Sequence, residues 1–434
     1  MRLILSLCIL VIFTSNLYGS DISCAKKSFQ NLNNIEIDYL EIIPKNYRGF
    51  KLTQLKNLVS MEDDLAEKLH YSKQKRYKSL IKVFFKNKEV CILNSRIRVH
   101  GDGRDHYKFI DGDVIASIDV ELLDGNLFNS IRFKLFIPES EGADSEIFNS
   151  ILFKKLNFIA PETRYLNIKI GKKKIKYLFQ EHLAKEMLEK NKRKEGPILE
   201  VDEENTFGLM RIDNKKWATL NPEISSKILA DINYEIMAIK NDYYLKSQKS
   251  FDVNALIDYL YLSNYNEIYF RNLSEFVTLA LATGSSHMFS TNDMRYYYDE
   301  IYGVFHPIYY DAEPALEYKN LFIPKFISNY FKVETENLKK KISKINIDKF
   351  NNKLKELGID ENKKKTIERF KIIEKNLNLI NAKKKISIEP GSYNFENLEK
   401  YFDKKNIFFI YKNENKFIVC KFIEKDCIEK KFLN

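Results

Sequence analysis

The chain has 434 residues, of which 44% are hydrophobic and 30% are charged, so general disorder is excluded and two or three domains are expected. Its formal net charge of +11 would suit an acidic partner. Lysine is spread along the chain with acidic residues interspersed, however, and the sequence lacks an arginine cluster with interleaved stacking aromatics. Nucleic-acid binding is therefore not expected.

The first 20 residues have the pattern of a secretory signal peptide. Arg2 precedes an apolar run over residues 3–13, and small residues follow it. The run is too short to cross a bilayer, and no second apolar segment of about 18 residues follows. We expect cleavage near residues 19–21, a periplasmic or extracellular location, and no transmembrane segment after signal removal.

Four cysteines follow the signal peptide, in a compartment that permits disulfides: Cys24, Cys91, Cys420 and Cys427. Three pairings can be drawn, and we favour Cys24 with Cys91 and Cys420 with Cys427, because each pair lies within a region that can fold locally. Four buried free thiols are the alternative. Zinc binding is less favoured, because no C-x-x-C motif occurs and the six histidines are scattered.

A helix is predicted at residues 61–70, and alternating apolar residues then predict two or three strands over residues 80–99. The loop 101–112 contains three glycines. In the strand 131–137, the apolar side chains share one face and leave Lys134 on the other. A plain glycine hairpin and a solvated lysine are the structural interpretations. A loop over nucleotide phosphates and a phosphate-binding lysine are the functional alternatives.

A helix with Glu146 in its first turn is predicted next, followed by a hairpin of residues 165–170 and 175–179. Glu181 follows the hairpin at the start of another helix. Each glutamate has a structural interpretation, because acids are favourable in the first turn of a helix. The functional alternative for Glu146 is an ion pair that holds Lys134.

The second half of the chain is predicted to be largely helical. Residues 190–210 are charged and predict a loop, whereas 220–239, 253–262 and 274–283 have the apolar spacing of helices. Lysine-rich helices with apolar stripes are predicted over 337–382. Three strands, at 408–411, 417–422 and 427–432, are predicted near the end.

One hairpin collects acidic residues at its ends. Residues 294–299 and 304–310 predict two strands joined by a tight turn, and antiparallel pairing brings together the residues before the first and after the second. These are Asn292, Asp293, Asp311 and Glu313. Three carboxylates and an amide are the oxygen ligands that Mg²⁺ prefers. A turn without function is the alternative, because turns favour Asn and Asp.

Four segments precede this hairpin in a characteristic order: RIRVHGDGRDH at 96–106, FKLFIPE at 133–139, EIFNSILFKKLNFIAPET at 146–163 and YLFQE at 177–181. Together with the hairpin they resemble the CotH-type (spore-coat protein H) family of secreted atypical protein kinases, over roughly residues 80 to 320. The resemblance implies an α+β, protein-kinase-like two-lobed fold with a small β-rich lobe, a larger helical lobe and a small C-terminal β-containing extension.

On this basis the chain divides into a signal peptide (1–20), an N-terminal extension (21–75), a β-rich lobe (76–180), a helical lobe with the metal-site hairpin (181–335), a helical segment (336–385) and a small β domain (386–434).

The resemblance also implies a site for ATP with Mg²⁺, or with Mn²⁺ as the alternative. The implied nucleotide-binding residues are Lys134, Glu146, Arg98 and Glu181. The implied metal ligands are Asn292, Asp293, Asp311 and Glu313, and Asp293, His287 and Asp311 are the candidate catalytic residues. The family pattern has an aspartate early in the catalytic loop, where this chain has Ser285, Ser286 and His287, so His287 or Asp293 would have to act as the base.

Three functions follow as hypotheses. The first is phosphoryl transfer to a hydroxyl of a protein or an envelope glycan. The second is a catalytically silent, kinase-like protein with a binding or structural role in the cell envelope. The third is a metal-dependent polysaccharide hydrolase, which would need a second carboxylate pair at glycosidase separation.

Overall fold

The computed structural model describes residues 22–24, 37–60, 75–101, 104–110, 113–201, 209–247, 267–289, 293–316, 334–383, 408–413, 416–421 and 426–431. The strands in these residues are β1 (Ile22–Ser23), β2 (Ile37–Pro44), β3 (Tyr77–Phe85), β4 (Val90–Val99), β5 (Tyr107–Ile110), β6 (Asp113–Ala116), β7 (Ile118–Leu122), β8 (Arg132–Phe136), β9 (Thr163–Ile170), β10 (Lys173–Glu181), β11 (Ile198–Val201), β12 (Met210–Ile212), β13 (Arg295–Asp299), β14 (Val304–Pro307), β15 (Phe408–Asn413), β16 (Lys416–Lys421) and β17 (Asp426–Lys431). The helices are α1 (Tyr47–Ser60), α2 (Asp144–Lys155), α3 (Lys185–Lys190), α4 (Lys215–Leu220), α5 (Pro222–Ser247), α6 (Glu267–Ala282), α7 (Thr335–Ser343), α8 (Ile347–Glu356) and α9 (Lys363–Lys383).

Seven strands close into a barrel in the order β4-β3-β2-β9-β10-β8-β7, and β7 pairs with β4 to complete the ring. The pairing of β2 with β9 is parallel, and the other six are antiparallel. Closure gives every barrel strand a neighbour on both sides, which removes the free edges of an open sheet.

Apolar side chains on one face of these strands build the barrel core. Ile97 on β4 lies opposite Val120 on β7, which in turn lies opposite Phe133 on β8. All three are buried in one cluster with Leu135 and Phe179. The opposite face of the same strands is therefore available for polar residues, because side chains alternate along a strand.

A second core lies between the outer face of the barrel and the helices. Phe136 and Leu178 from the barrel join it, together with residues of α2 and α6–α9 and of the four-stranded sheet β12-β11-β13-β14. Phe148 on α2 contacts Phe350 on α8 with ring centroids 5.0 Å apart. This packing brings the end of the β13–β14 hairpin against the outside of β8.

The predicted two-lobed protein-kinase-like fold is wrong. The structure has a closed seven-stranded barrel, with nine α-helices in the described part of the chain, instead of a lobe built on a β-sheet. The physical reason is that alternation identifies strands but does not say which strands become neighbours. Closure depends on β2 pairing with β9, far along the chain, and on β4 pairing with β7.

Several predicted elements are nevertheless confirmed. The hairpins form as β9–β10 and β13–β14, and the lysine-rich helices as α7–α9. The loop predicted at 101–112 contains β5, which forms a local hairpin with β6, and the loop predicted at 190–210 contains β11, which pairs with β12 and with the distant β13. The helices predicted at 61–70 and 253–262 lie outside the described residues. Within the described residues, no helix is both long enough and apolar enough to cross a bilayer.

The predicted disulfide between Cys24 and Cys91 is confirmed, and it ties β1 to β4, where Ile22 lies opposite Cys91. In the small C-terminal sheet β15-β16-β17, Cys420 lies opposite Cys427 in the backbone register. The side chains of that sheet lie outside what the structure describes, so the second disulfide stays a prediction.

We expect loss of the first disulfide to lower the free energy of unfolding by roughly 2–4 kcal/mol, because it closes a loop between residues 67 apart in sequence. The measurement is urea denaturation of the wild type and of Cys24→Ala/Cys91→Ala, each with and without reductant. The double variant Cys420→Ala/Cys427→Ala is the comparison that reports on the second predicted disulfide. Equal midpoints for oxidised wild type and Cys24→Ala/Cys91→Ala would contradict the prediction.

Candidate functional site

A row of polar side chains crosses the outer face of the barrel. Arg98 on β4, Asp119 on β7, Lys134 on β8 and Gln180 on β10 lie opposite one another in successive strand pairs. Arg98 Nε donates a hydrogen bond of 2.8 Å to Asp119 Oδ2. Burial alone would raise the pKa of Asp119, but Arg98 and then Arg132 hold it well below its ordinary value. Arg98 is thus occupied by a structural ion pair two strands away from Lys134.

Lys134 is half-buried and faces the hairpin. Its ammonium group donates to the Tyr310 hydroxyl and lies 4.9 Å from the centre of that ring. Burial lowers the pKa of Lys134, and Asp311 and Glu141 are the strongest of the charges that oppose this change. The lysine therefore lies on a rigid strand with carboxylates close by.

Three candidate ligands converge next to this lysine. His287, Asp311 and Glu313 each offer one ligand atom, and these atoms lie within 4.8 Å of one another. His287 Nε2 is 3.3 Å from Asp293 Oδ2 and 3.6 Å from Glu313 Oε1. Burial raises the pKa of Glu313, His287 opposes the rise, and Asp311 adds to it. The hairpin thus gathers the predicted acids around a histidine.

The loop that carries the acids is held in an unusual conformation. Asp311 and Glu313 have φ values of 48° and 41°, in the left-handed region that is costly for residues with a side chain. Two glycines hold the loop in place. A Cβ atom on Gly142 would lie 2.9 Å from Pro314 Cδ, and one on Gly284 would lie 3.0 Å from the Ala315 carbonyl carbon. Both glycines have positive φ values, so substitution at either position would move the acids.

Glu141 is a fourth acid at this site, and the sequence analysis missed it. It lies in the 3₁₀ turn Pro138–Glu141 that follows β8, and it is buried. Burial raises its pKa well above the usual range, with Asp311 and Glu146 adding to the rise and Lys134 opposing it. A glutamate before a glycine resembles an ordinary turn residue, and only its burial distinguishes it.

Glu146 is fully buried in the first turn of α2, where it accepts hydrogen bonds from the Tyr309 hydroxyl (2.7 Å) and from Gln180 Nε2 (3.1 Å). Burial raises its pKa to about 8. The predicted ion pair between Lys134 and Glu146 is absent from the described contacts, because each side chain contacts a different residue of the Tyr309–Tyr310 pair.

The predicted residue Glu181 contacts groups other than Lys134 and Asp311. It is buried and accepts hydrogen bonds from Lys190 Nζ (2.7 Å) and Ser130 Oγ (3.2 Å). Asn292 lies outside the described residues. Ser285, at the early position of the predicted catalytic loop, is also buried, and it accepts a 2.9 Å hydrogen bond from Asn149 Nδ2.

We call the convergent residues the acidic site, defined as Glu141, His287, Asp293, Asp311 and Glu313. The donor set fits a divalent cation, because carboxylate oxygens and one imidazole nitrogen are brought within reach of one another. Carboxylate oxygens suit Mg²⁺ and Mn²⁺ alike, so the acids of this set are suitable ligands for either cation.

Comparison of the chain with protein-family models and with curated proteins finds no match. The function is therefore inferred from the residues and the geometry of the site.

Proposed function

We propose that the acidic site and Lys134 together bind a nucleoside triphosphate with Mg²⁺ or Mn²⁺, and that the exported protein transfers a phosphoryl group to a hydroxyl of a protein or an envelope glycan. This function does not need the two-lobed fold that the structure contradicts, because chemistry depends on the site and recurs on unrelated folds.

The observation that carries the proposal is that Asp311 interacts both with a lysine and with candidate metal ligands. Its charge raises the pKa of Lys134, a cation on a barrel strand. Its carboxylate lies within 4.8 Å of candidate ligand atoms of His287 and Glu313. Phosphoryl transfer needs this combination, because the negative charge of the phosphates must be neutralised from more than one side.

Each residue has a role in this proposal. Lys134 would bind phosphate oxygens in place of its contact with the Tyr310 hydroxyl. Asp311 and Glu313 would hold the cation, which when bound shields the charge on the transferred group. His287 and Asp293 would accept the proton of the substrate hydroxyl, because His287 Nε2 and Asp293 Oδ2 are 3.3 Å apart and can share it.

A second candidate is a catalytically silent envelope protein that binds a nucleotide or a structural partner without transfer. The observation in its favour is the burial of Ser285, whose hydroxyl lies within hydrogen-bond distance of Asn149 Nδ2 (2.9 Å) and Thr283 Oγ1 (3.0 Å). A residue held in this way is not available to orient a substrate hydroxyl.

The test is calorimetric titration with ATP in the presence and absence of Mg²⁺ or Mn²⁺, followed by incubation with radiolabelled ATP. The proposal expects cation-dependent binding and incorporation of label. Binding without incorporation would support the silent candidate, and no binding under either condition would remove both.

Lys134→Met should weaken ATP binding about tenfold or more, because the substitution keeps the length of the side chain and removes its charge. The matched control is Lys78→Met, which changes an exposed lysine on β3 of the same barrel. Equal affinities for the wild type and Lys134→Met would contradict the role given to Lys134.

A further inference from the structure

A second site lies away from the acidic site. A cleft of about 600 Å³ opens between the end of α2, the helices α7 and α8, and β14. It shares no lining residue with the acidic site. We propose that this cleft, which we call the basic cleft, binds a small organic dianion, a phosphate ester with a flat apolar body.

Five cationic side chains from different parts of the chain surround the cleft. Its lining includes Lys155 at the end of α2, Arg193 after α3, and Lys341, Lys344 and Lys349 from α7, α8 and their connection. Among the described residues, the lining contains no carboxylate. Several cations held around one concave surface favour a ligand with more than one negative charge.

Most of these cations have no acidic partner among the described residues. Lys341 is paired with the buried Glu275. Within the part of the chain that the structure describes, no acid pairs with Lys155, Lys344 or Lys349. Arg193, which also lines the cleft, donates a 3.5 Å hydrogen bond from Nη2 to the Asn157 carbonyl oxygen.

The helix α8 adds a further preference for anions. Its N-cap, Asn346, lines the cleft and accepts a 3.0 Å hydrogen bond from the Lys349 backbone N–H. The N-terminus of a helix carries partial positive charge, so its first turn is favourable for a phosphate group.

The floor of the cleft is apolar. It is formed by Leu156, Phe158, Ile159 and Phe350, of which Leu156, Ile159 and Phe350 are buried. An inorganic anion would leave the exposed part of the Phe158 ring in contact with water. A ligand with a flat apolar body would cover it, and a volume of about 600 Å³ is within the range of small-molecule sites.

His306 marks one side of the cleft. Burial lowers its pKa to about 4, and Arg193 contributes to the change while Asp299 opposes it. The imidazole is therefore neutral near pH 7, where it can donate or accept a hydrogen bond. Ligand binding near neutral pH should then depend on the lysines and Arg193 for charge.

The test is calorimetric titration of the full chain with 1-naphthyl phosphate in buffer without added Mg²⁺ or Mn²⁺, which suppresses cation-dependent binding at the acidic site. We expect saturable binding that weakens as salt is added. Inorganic phosphate and uncharged 1-naphthol should each bind at least about tenfold more weakly. Phosphate lacks the apolar body that covers the floor, and 1-naphthol lacks the charge that interacts with the cations. Equal binding of 1-naphthol would contradict a role for the cations.

Lys344→Gln/Lys349→Gln should weaken 1-naphthyl phosphate binding about tenfold. The control is Lys340→Gln/Lys355→Gln, which removes the same charge from exposed positions on α7 and α8 outside the cleft lining. Equal losses in both variants would show a general effect of net charge and would overturn the proposal. Tighter binding of a single-stranded oligonucleotide, weakened alike in both variants, would also overturn it.

Discussion

Asp311→Asn is expected to abolish cation-dependent nucleotide binding, with a loss of at least about 100-fold in affinity for the complex of ATP with Mg²⁺ or Mn²⁺. The substitution removes the negative charge of Asp311, which interacts with Lys134 and lies among the candidate metal ligands, and it keeps the shape of the side chain. Asparagine also tolerates the left-handed conformation found at φ 48°. The fold should therefore survive, and the measurement is calorimetric titration with and without the cation.

Glu300→Gln is the matched control for this prediction, because it removes a carboxylate from the exposed turn at the other end of the same hairpin. It should leave the affinity unchanged. Undiminished cation-dependent binding by Asp311→Asn would remove Asp311 from the site, and with it the central observation of the proposed function.

Glu146→Gln is expected to make the protein more stable at high pH. Burial raises the pKa of Glu146 from an ordinary 4.5 to about 8. Between those values the folded state holds a proton that the unfolded state releases, so the contribution of Glu146 to stability is complete below about pH 4.5 and is lost as pH rises toward 8. Glutamine reproduces the neutral form at every pH.

The expected gain for Glu146→Gln over the wild type is below about 1 kcal/mol at pH 5 and at most about 5 kcal/mol at pH 9, since one pKa unit corresponds to about 1.4 kcal/mol. Urea denaturation at pH 5, 7 and 9 measures it. Glu374→Gln, an exposed acid on α9, is the control and should show no such trend. A destabilised Glu146→Gln at neutral pH would instead indicate an ionised Glu146 paired with a cation, as the sequence suggested for Lys134.

The two substitutions separate roles that the sequence placed together. Tyr309, Tyr310 and Asp311 are consecutive in the chain. The Tyr309 hydroxyl donates to Glu146, and the Tyr310 hydroxyl accepts from Lys134. Asp311 lies among the candidate metal ligands. Glu146 lies in a buried hydrogen-bond network that supports this segment. Asp311 lies where a ligand could reach it. Stability should therefore respond to the first substitution and binding to the second.

Burial also explains why the roles of individual acids could not be predicted from sequence. Glu141 and Glu146 both follow β8, and both resemble exposed acids near a helix start. Their pKa values are raised because the hairpin covers them, which is a contact between segments far apart in the chain. A local pattern contains no information about such a contact.

The sequence by itself determined the strands, hairpins and helices whose apolar periodicity is strong. Hairpin pairing is local and brought Asp293, Asp311 and Glu313 together as candidates, whereas Lys134 and His287 became candidates through their strand and loop positions and the family resemblance. Only the tertiary structure decided that the strands close into a barrel, that Glu146 contacts Tyr309 rather than Lys134, and that cations surround a cleft between α2, α7, α8 and β14. Each of these features depends on the pairing or packing of distant segments, which the spacing of residues along the chain does not specify.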